Sequence, residues 1–194
     1  MPNISRRTFV CGAGATAGLF ALGGVAAASP KNESLLRPPG GQDETLLFAA
    51  CLRCDKCRSA CPEGCISLGV VEDGFLNYRM PHIDFHKGMC TFCGECIAVC
   101  PTGALTPFDE SVDKIGIARV DPEQCIAYQL AGCRVCADKC PYDAISIDET
   151  GKPQVDEALC NGCGACEFAC PSASLGAYSG AKTRGINVMK AEGR

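Results

Sequence analysis

The sequence predicts an α+β protein made of two similar units of short strands and short helices. Two observations support this prediction: a cysteine pattern that occurs four times, and short apolar segments that flank its occurrences. The 194 residues include 18 cysteines but no tryptophan, and only 6% of them are aromatic. Because a chain with so few large side chains builds a thin core, we expect disulfides or bound metal to complete it.

The four cysteine runs end alike, in C-x2-C-x3-C-P. Runs one, two and four read C-x2-C-x2-C-x3-C-P, whereas run three reads C-x7-C-x2-C-x3-C-P, with five residues inserted after its first cysteine. The regular spacing is the one that binds [4Fe–4S] clusters in bacterial ferredoxins. Disulfides between such near neighbours would be strained, and zinc sites prefer paired C-x2-C units. We therefore expect four [4Fe–4S] clusters as cofactors, with 16 cysteine ligands. They are Cys51, Cys54, Cys57, Cys61, Cys90, Cys93, Cys96, Cys100, Cys125, Cys133, Cys136, Cys140, Cys160, Cys163, Cys166 and Cys170.

The flanks of the runs predict short strands. IDF, ARV and PQV precede runs two, three and four, and CISL, ALTP and AISI follow runs one, two and three. Such apolar, β-branched segments are typical of strands. Run one is preceded instead by DETLLFAA, which predicts a helical turn. Two repeats of this kind make one bacterial-type 2[4Fe–4S] ferredoxin domain, so the chain would hold two in tandem.

Two ways of pairing the runs are open. In a bacterial-type domain the fourth cysteine of a run ligates the cluster of the partner run. Pairing of adjacent runs gives cluster 1 to Cys51, Cys54, Cys57 and Cys100, and cluster 2 to Cys90, Cys93, Cys96 and Cys61. It gives cluster 3 to Cys125, Cys133, Cys136 and Cys170, and cluster 4 to Cys160, Cys163, Cys166 and Cys140. Nested pairing, of run one with four and two with three, uses the same ligands.

The remaining cysteines have other expected roles. Cys65 occupies the repeat position held elsewhere by Ala104, Ala144 and Ser174, so we expect a small buried residue beside a cluster. Cys11 lies in the leader. Because four cysteines leave no iron open to a substrate, the clusters favour electron transfer over catalysis, and we assign no catalytic residue.

The first residues carry an export pattern. Ser5 to Val10, SRRTFV, matches the twin-arginine motif. An apolar, glycine-rich stretch follows, and Ala26 to Ala28 supply a cleavage site. We expect residues 1–28 to be a twin-arginine signal peptide and the mature chain to be periplasmic or otherwise extracytoplasmic. An uncleaved anchor helix and a relic leader are the alternatives.

The rest of the chain is divided by composition. Residues 29–44 are expected to form a proline- and glycine-containing linker, 45–112 the first ferredoxin-like unit, 113–178 the second, and 179–194 a flexible tail. The whole chain has a net charge of −4, and bound clusters add negative charge. This balance disfavours nucleic acid and favours a partner with a basic docking surface.

Several motifs together resemble one family. RPPG, CLRCDKC, CTFCGEC, CIAYQLAGCRVCADKC and CNGCGAC are similar to the ferredoxin-type accessory proteins of periplasmic nitrate reductase systems, the NapF, NapG and MauM/NapG-type group. The resemblance implies an iron–sulfur protein that serves a molybdenum-dependent reductase. A NapG-like role is an exported carrier working with a membrane quinol dehydrogenase. A NapF-like role is maturation of the catalytic subunit, which would place the protein in the cytoplasm. A third possibility is the iron–sulfur subunit of a molybdopterin oxidoreductase.

Overall fold

The computed structural model describes residues 35–130, 132–172 and 184–191. Short helices and strands alternate along these ranges. In chain order the regular elements are α1 (Glu44–Ala50), α2 (Lys56–Ala60), β1 (Ile66–Leu68), two 3₁₀ turns (Val71–Asp73 and Phe75–Asn77), β2 (Pro81–Ile83), α3 (Glu95–Ala98), β3 (Ile117–Val120), α4 (Ile126–Gln129), α5 (Val135–Asp138), β4 (Ile145–Ile147), β5 (Pro153–Val155), α6 (Ala165–Ala169) and β6 (Ile186–Met189).

The strands form three antiparallel pairs. β1 pairs with β2, β4 with β5, and β3 with β6. The first two pairs occupy equivalent places, because each joins the end of one cysteine run to the start of the next. Ile66 lies opposite Ile83, and Ile145 lies opposite Val155. Each hairpin thus places an apolar cross-strand pair beside the cysteine loops.

The predictions for single strands had mixed outcomes. ARV and PQV are strands, as expected. The prediction for IDF was wrong in position, since the strand is Pro81–Ile83 and the Asp84 side chain accepts the His86 N–H at 3.1 Å, which turns the chain. ALTP is not a strand, because its neighbour is the irregular segment before α1 rather than another strand.

That segment corrects the predicted linker. Leu36 to Gly41 are buried, and Thr106 N–H donates to Gly40 O at 2.9 Å. The Arg37 guanidinium, 5% exposed, donates to Asn77 Oδ1 at 2.6 Å and to Pro81 O at 3.3 Å. The described part of residues 29–44 is therefore an integral part of the fold rather than a free spacer.

The predicted tail also needs correction. Residues Ile186–Met189 form β6, which pairs with β3 along its whole length. Ile186 is buried, and Val188 N–H donates to the buried Glu167 carboxylate at 2.6 Å. An apolar side chain at every second position lets the strand cover the core on one face, so this part of the tail is structural.

Helix α1 confirms the helical turn expected before run one. The Asp43 side chain caps it by accepting the Leu46 N–H at 3.1 Å, and Glu44 lies in the first turn, where a negative charge is favourable. Leu47 points into the core and is fully buried. The helix ends at Ala50, directly before the first cysteine.

The first and second halves of the described chain meet through a glycine, a backbone hydrogen bond and a pair of aromatic rings. A Cβ at Gly164 would lie 2.0 Å from the ring of Phe85, and Cys90 N–H donates to Cys163 O at 2.8 Å. The rings of Phe92 and Tyr142 meet edge to face at 6.4 Å between centroids. These close approaches fix runs two and four beside each other.

The predicted signal peptide, Cys11 and Ser174 lie outside the described residues. Within the described ranges, no helix combines the length and apolar character needed to cross a membrane.

Candidate functional site

Three cysteine runs curl through the same backbone turn. In runs one, two and four, the residues on both sides of the second cysteine have positive φ. The angles are 54° and 68° at Arg53 and Asp55, 53° and 77° at Phe92 and Gly94, and 80° and 79° at Gly162 and Gly164. Glycine adopts this conformation freely, whereas other residues do so at a cost of ~1–2 kcal/mol. Two left-handed residues around one cysteine wrap the loop about a single cavity.

Four cavities each bring four of the predicted ligands together. Each is lined by the first three cysteines of one run and the last cysteine of the run adjacent to it. Set A is Cys51, Cys54, Cys57 and Cys100; set B is Cys61, Cys90, Cys93 and Cys96; set C is Cys125, Cys133, Cys136 and Cys170; set D is Cys140, Cys160, Cys163 and Cys166. This grouping follows adjacent rather than nested pairing of the runs. All 16 predicted ligands fall into one of the sets.

The donor chemistry of the sets fits an iron–sulfur cluster. Each cavity presents four thiols among mainly apolar neighbours, such as Leu47 in set A, Ile186 in set C and Val188 in set D. Thiolate sulfurs are the ligands that [4Fe–4S] clusters take. No group of three or more Cys, His, Asp or Glu side chains in the described ranges is arranged around a single metal ion.

Burial governs the protonation of the third cysteine in each run. It raises the pKa of Cys57 and of Cys136 to about 11, and that of Cys96 to about 12. Burial also raises the pKa of Cys166, and the charges of Cys163 and Cys160 add to the effect. Such thiols are protonated at neutral pH, so ligation of a metal must release their protons.

Backbone amides reach several sulfurs. Arg53 N–H donates to Cys51 Sγ at 3.4 Å, Ala118 N–H to Cys160 Sγ at 3.4 Å, and Ala144 N–H to Cys140 Sγ at 3.3 Å. Hydrogen bonds to sulfur stabilise the negative charge of a ligating thiolate and tune the reduction potential of a cluster. Strand β3 and the hairpin β4–β5 thus contribute to set D through their backbone.

Cavity B contains a fifth thiol. Cys65 is 1% exposed, lines the cavity, and its Sγ lies 3.6 Å from Cys61 Sγ. Ala144, at the same repeat position, lines cavity D in its place. Cys65 therefore lies where the repeat predicts a small buried residue.

The sets follow one another in space in the order A, B, D, C. Within the first half, burial and the charge of Cys90 raise the pKa of Cys96 in set B most, and Cys57 of set A lies close enough for its charge to raise it further. Between the halves, Cys90 N–H donates to Cys163 O at 2.8 Å, which joins sets B and D. Within the second half, the charge of Cys136 acts on Cys166. Sets A and C are consequently the two ends of the row.

Comparison with known proteins decides the family. The 4Fe-4S dicluster domain matches residues 50–104, 89–144 and 131–174. The first two matches each span two successive runs, and the third spans run four and run three without Cys125. The ferredoxin-type protein NapG of Escherichia coli (strain K12) is 35% identical over 191 residues, covering 87% of this chain and 82% of the relative. The chain belongs to this ferredoxin-type 4Fe-4S family.

Two further members are similar over most of the chain. The ferredoxin-type protein NapF of Escherichia coli (strain K12) is 34% identical over 144 residues, covering 72% of this chain and 82% of the relative. The methylamine utilization ferredoxin-type protein MauM of Paracoccus denitrificans (strain Pd 1222) is 34% identical over 188 residues, covering 87% of this chain and 84% of the relative. The expected resemblance to the NapF, NapG and MauM group is confirmed. The family and the cysteine sets together indicate an iron–sulfur protein of electron transfer.

Sequence reasoning missed two features of the site. The left-handed backbone at Arg53 and Phe92 carries no sequence signal, because these residue types are not typical of positive φ. The row A–B–D–C depends on the contact between Phe85 and Gly164, which are far apart in sequence.

Proposed function

We propose that the chain is an exported polyferredoxin that binds four [4Fe–4S] clusters and relays electrons between a membrane quinol-oxidising partner and a periplasmic molybdenum-dependent reductase. The observation that carries the proposal is the division of 16 cysteines into four all-thiol cavities in one row. Bound clusters would supply one-electron transfer without a substrate site. The protein is then a carrier rather than an enzyme.

The ligand assignment follows the four sets. Set A would hold cluster 1, set B cluster 2, set C cluster 3 and set D cluster 4. Two ferredoxin-like units in tandem would each contain two of them. The role of the protein is to supply thiolates, to donate backbone hydrogen bonds to the sulfurs, and to exclude water from set D, where Cys160, Cys163 and Cys166 are buried.

Export is proposed from the leader. Arg6 and Arg7 lie in the twin-arginine pattern SRRTFV, and the match to NapG and MauM relatives extends over 87% of the chain. A route for folded proteins suits a chain whose thin core depends on clusters inserted before export. The proposed location is therefore extracytoplasmic.

The export proposal is tested by replacing both arginines with lysine. We expect the R6K/R7K variant to keep its clusters and to accumulate in the cytoplasmic fraction, whereas the unchanged chain is found outside. A chain distributed identically with and without the substitutions would contradict export by this route. A variant with Arg119→Lys, at an exposed strand position, controls for the effect of an arginine-to-lysine change outside the motif.

A second candidate function is maturation of a reductase catalytic subunit in the cytoplasm. The 34% identity to NapF over 72% of the chain favours it. Deletion of the gene would then reduce the amount of assembled reductase, and the chain would co-purify with the catalytic subunit before export. Normal assembly without the chain would exclude this function.

A further inference from the structure

Exposed apolar side chains are concentrated near set A. Of the 13 large hydrophobic side chains exposed in the described ranges, eight lie between residues 46 and 78. The most exposed of these are Leu52 (67%), Val71 (67%), Phe75 (74%) and Leu76 (58%). Single exposed apolar residues are normal on a protein surface, but a group of them indicates a binding surface.

An insertion supplies most of this group. Twelve residues connect β1 to β2, whereas five connect the equivalent strands β4 and β5. The short connection, DETGK, is polar, while the long one, GVVEDGFLNYRM, forms the two 3₁₀ turns that carry Val71, Phe75 and Leu76. Since a hairpin closes with five residues elsewhere in the chain, the additional length is not needed to join the strands.

The insertion is fixed beside the cysteines of set A. The Arg53 guanidinium, from run one, donates to Leu76 O at 3.1 Å. Arg79, at the end of the insertion, lines cavity A together with Leu52. Cys54 of this set is itself exposed. The apolar side chains and an accessible ligand of the terminal set therefore belong to one surface.

The local charge is opposite in sign to that of the whole chain. Residues 51–61 carry three basic residues and one acidic residue, a net charge of +2. Residues 125–140 carry a net charge of +1, and residues 90–100 and 160–170 each carry −1. Arg79 adds a further positive charge next to run one, although the chain as a whole has a net charge of −4. A partner that binds here would present acidic residues, not the basic surface that the overall charge suggests.

We propose that Leu52, Arg53, Val71, Phe75, Leu76 and Arg79 form the docking face for a redox protein whose own docking surface is apolar with an acidic rim. Docking there would place the redox centre of the partner next to set A, at one end of the row. The proposal rests on the proposed electron relay and adds the point at which electrons are exchanged and the chemistry of the partner.

A protein partner fits the geometry better than an anionic membrane surface. Glu72 and Asp73 lie on the same insertion as the apolar residues, and Asp55 lies within run one. These carboxylates would repel a uniformly anionic layer of headgroups, whereas a protein surface can place acidic groups opposite Arg53 and Arg79 and basic groups opposite the carboxylates. A lipid layer over cavity A would also separate set A from a soluble redox partner.

The test uses the loaded, full-length protein and reduced flavodoxin, an acidic electron carrier, as the probe. In the reaction, the flavin hydroquinone loses one electron and becomes the semiquinone, and one cluster of the chain is reduced. Stopped-flow absorbance gives the second-order rate constant at low and high salt. Phe75→Ser and Arg53→Glu alter the docking face. Leu130→Ser and Arg134→Glu are the matched controls, since Leu130 is 73% exposed and both residues lie near set C.

We expect each docking-face variant to retain its iron and visible spectrum and to lose about tenfold or more in rate at low salt, and Arg53→Glu also to lose the salt dependence. The controls should keep the rate of the unchanged chain. An equal loss of rate in the docking-face and control variants, or no loss of rate in the docking-face variants, would overturn the proposal. Binding to phosphatidylglycerol vesicles that depends on Phe75, with unaltered flavodoxin kinetics, would also overturn it. An iron-loaded, unchanged chain that accepts no electron would instead overturn the relay.

Discussion

The contact between the two halves of the chain can be tested at one glycine that has a natural control. Gly94 and Gly164 occupy the same repeat position, after the second cysteine of runs two and four, with φ of 77° and 79°. A Cβ at Gly94 would have no neighbour within 4 Å, whereas a Cβ at Gly164 would meet the ring of Phe85 at 2.0 Å. Alanine at either position therefore adds the same backbone strain, but only one substitution disturbs the contact.

The expected loss of stability has two parts, the backbone strain and the overpacking against Phe85. A left-handed alanine costs ~1–2 kcal/mol, and both variants should lose that amount. Run one shows that a side chain is tolerated at this position, since Asp55 has a φ of 68° there. Overpacking against a ring that is 2% exposed adds ~1–3 kcal/mol in Gly164→Ala. We expect the two variants to differ by about 2 kcal/mol, or about 30-fold in the equilibrium for opening.

Hydrogen exchange of the loaded protein measures this difference locally. Cys90 N–H donates to Cys163 O at 2.8 Å and so connects the two halves. Its exchange should be about 30-fold faster in Gly164→Ala than in Gly94→Ala. The Asp156 amide, which donates to Ala144 O at 2.8 Å within the second half, should exchange alike in both variants.

Equal protection of the Cys90 amide in the two variants would contradict the proposed contact between the halves. It would mean that Phe85 does not pack on Gly164 and that runs two and four are not held together there. The assignment of sets B and D as neighbours would lose its main structural support.

Three further predictions follow from the same contacts. Arg37→Leu leaves Asn77 Oδ1 and the Pro81 carbonyl without their donor, so we expect ~2–4 kcal/mol less local stability, measured as faster amide exchange across residues 35–43. Arg119→Leu on the surface should change this exchange little, and unchanged exchange in Arg37→Leu would contradict the anchoring role of Arg37. Cys65→Ala reproduces the residue found at the same position in two other repeats and should leave the iron content unchanged, and a loss of about one cluster would make Cys65 a ligand. Removal of iron with a chelator should unfold the chain, as measured by circular dichroism, because the clusters complete its thin core, and retained structure would contradict this dependence.

The cysteine sets could be predicted from the sequence because their spacing is a local constraint. Three cysteines within seven residues, such as Cys51, Cys54 and Cys57, cannot be far apart in any compact loop. The helix before run one was equally local, with Asp43 as its cap and an apolar stripe behind it. The choice between adjacent and nested pairing was not local, since it depends on which hairpins form, and the structure follows the adjacent arrangement.

The segments before run one and after run four show why some structural elements could not be predicted from the sequence. Leu36 to Gly41 contain two prolines and two glycines, which are typical of a spacer, yet Arg37 is buried and donates to three different segments. Ile186 and Val188 alternate as in a half-buried strand, but polar neighbours and the distance from the runs obscured that signal. Both segments acquire their structure from partners that are far away in sequence.

The central claim is that the four cysteine sets hold four clusters. Determination of iron and acid-labile sulfide in the anaerobically purified chain tests it most directly. We predict about sixteen iron atoms and about sixteen sulfides per chain, four for each set. A value near eight, or bound zinc in place of iron, would contradict it.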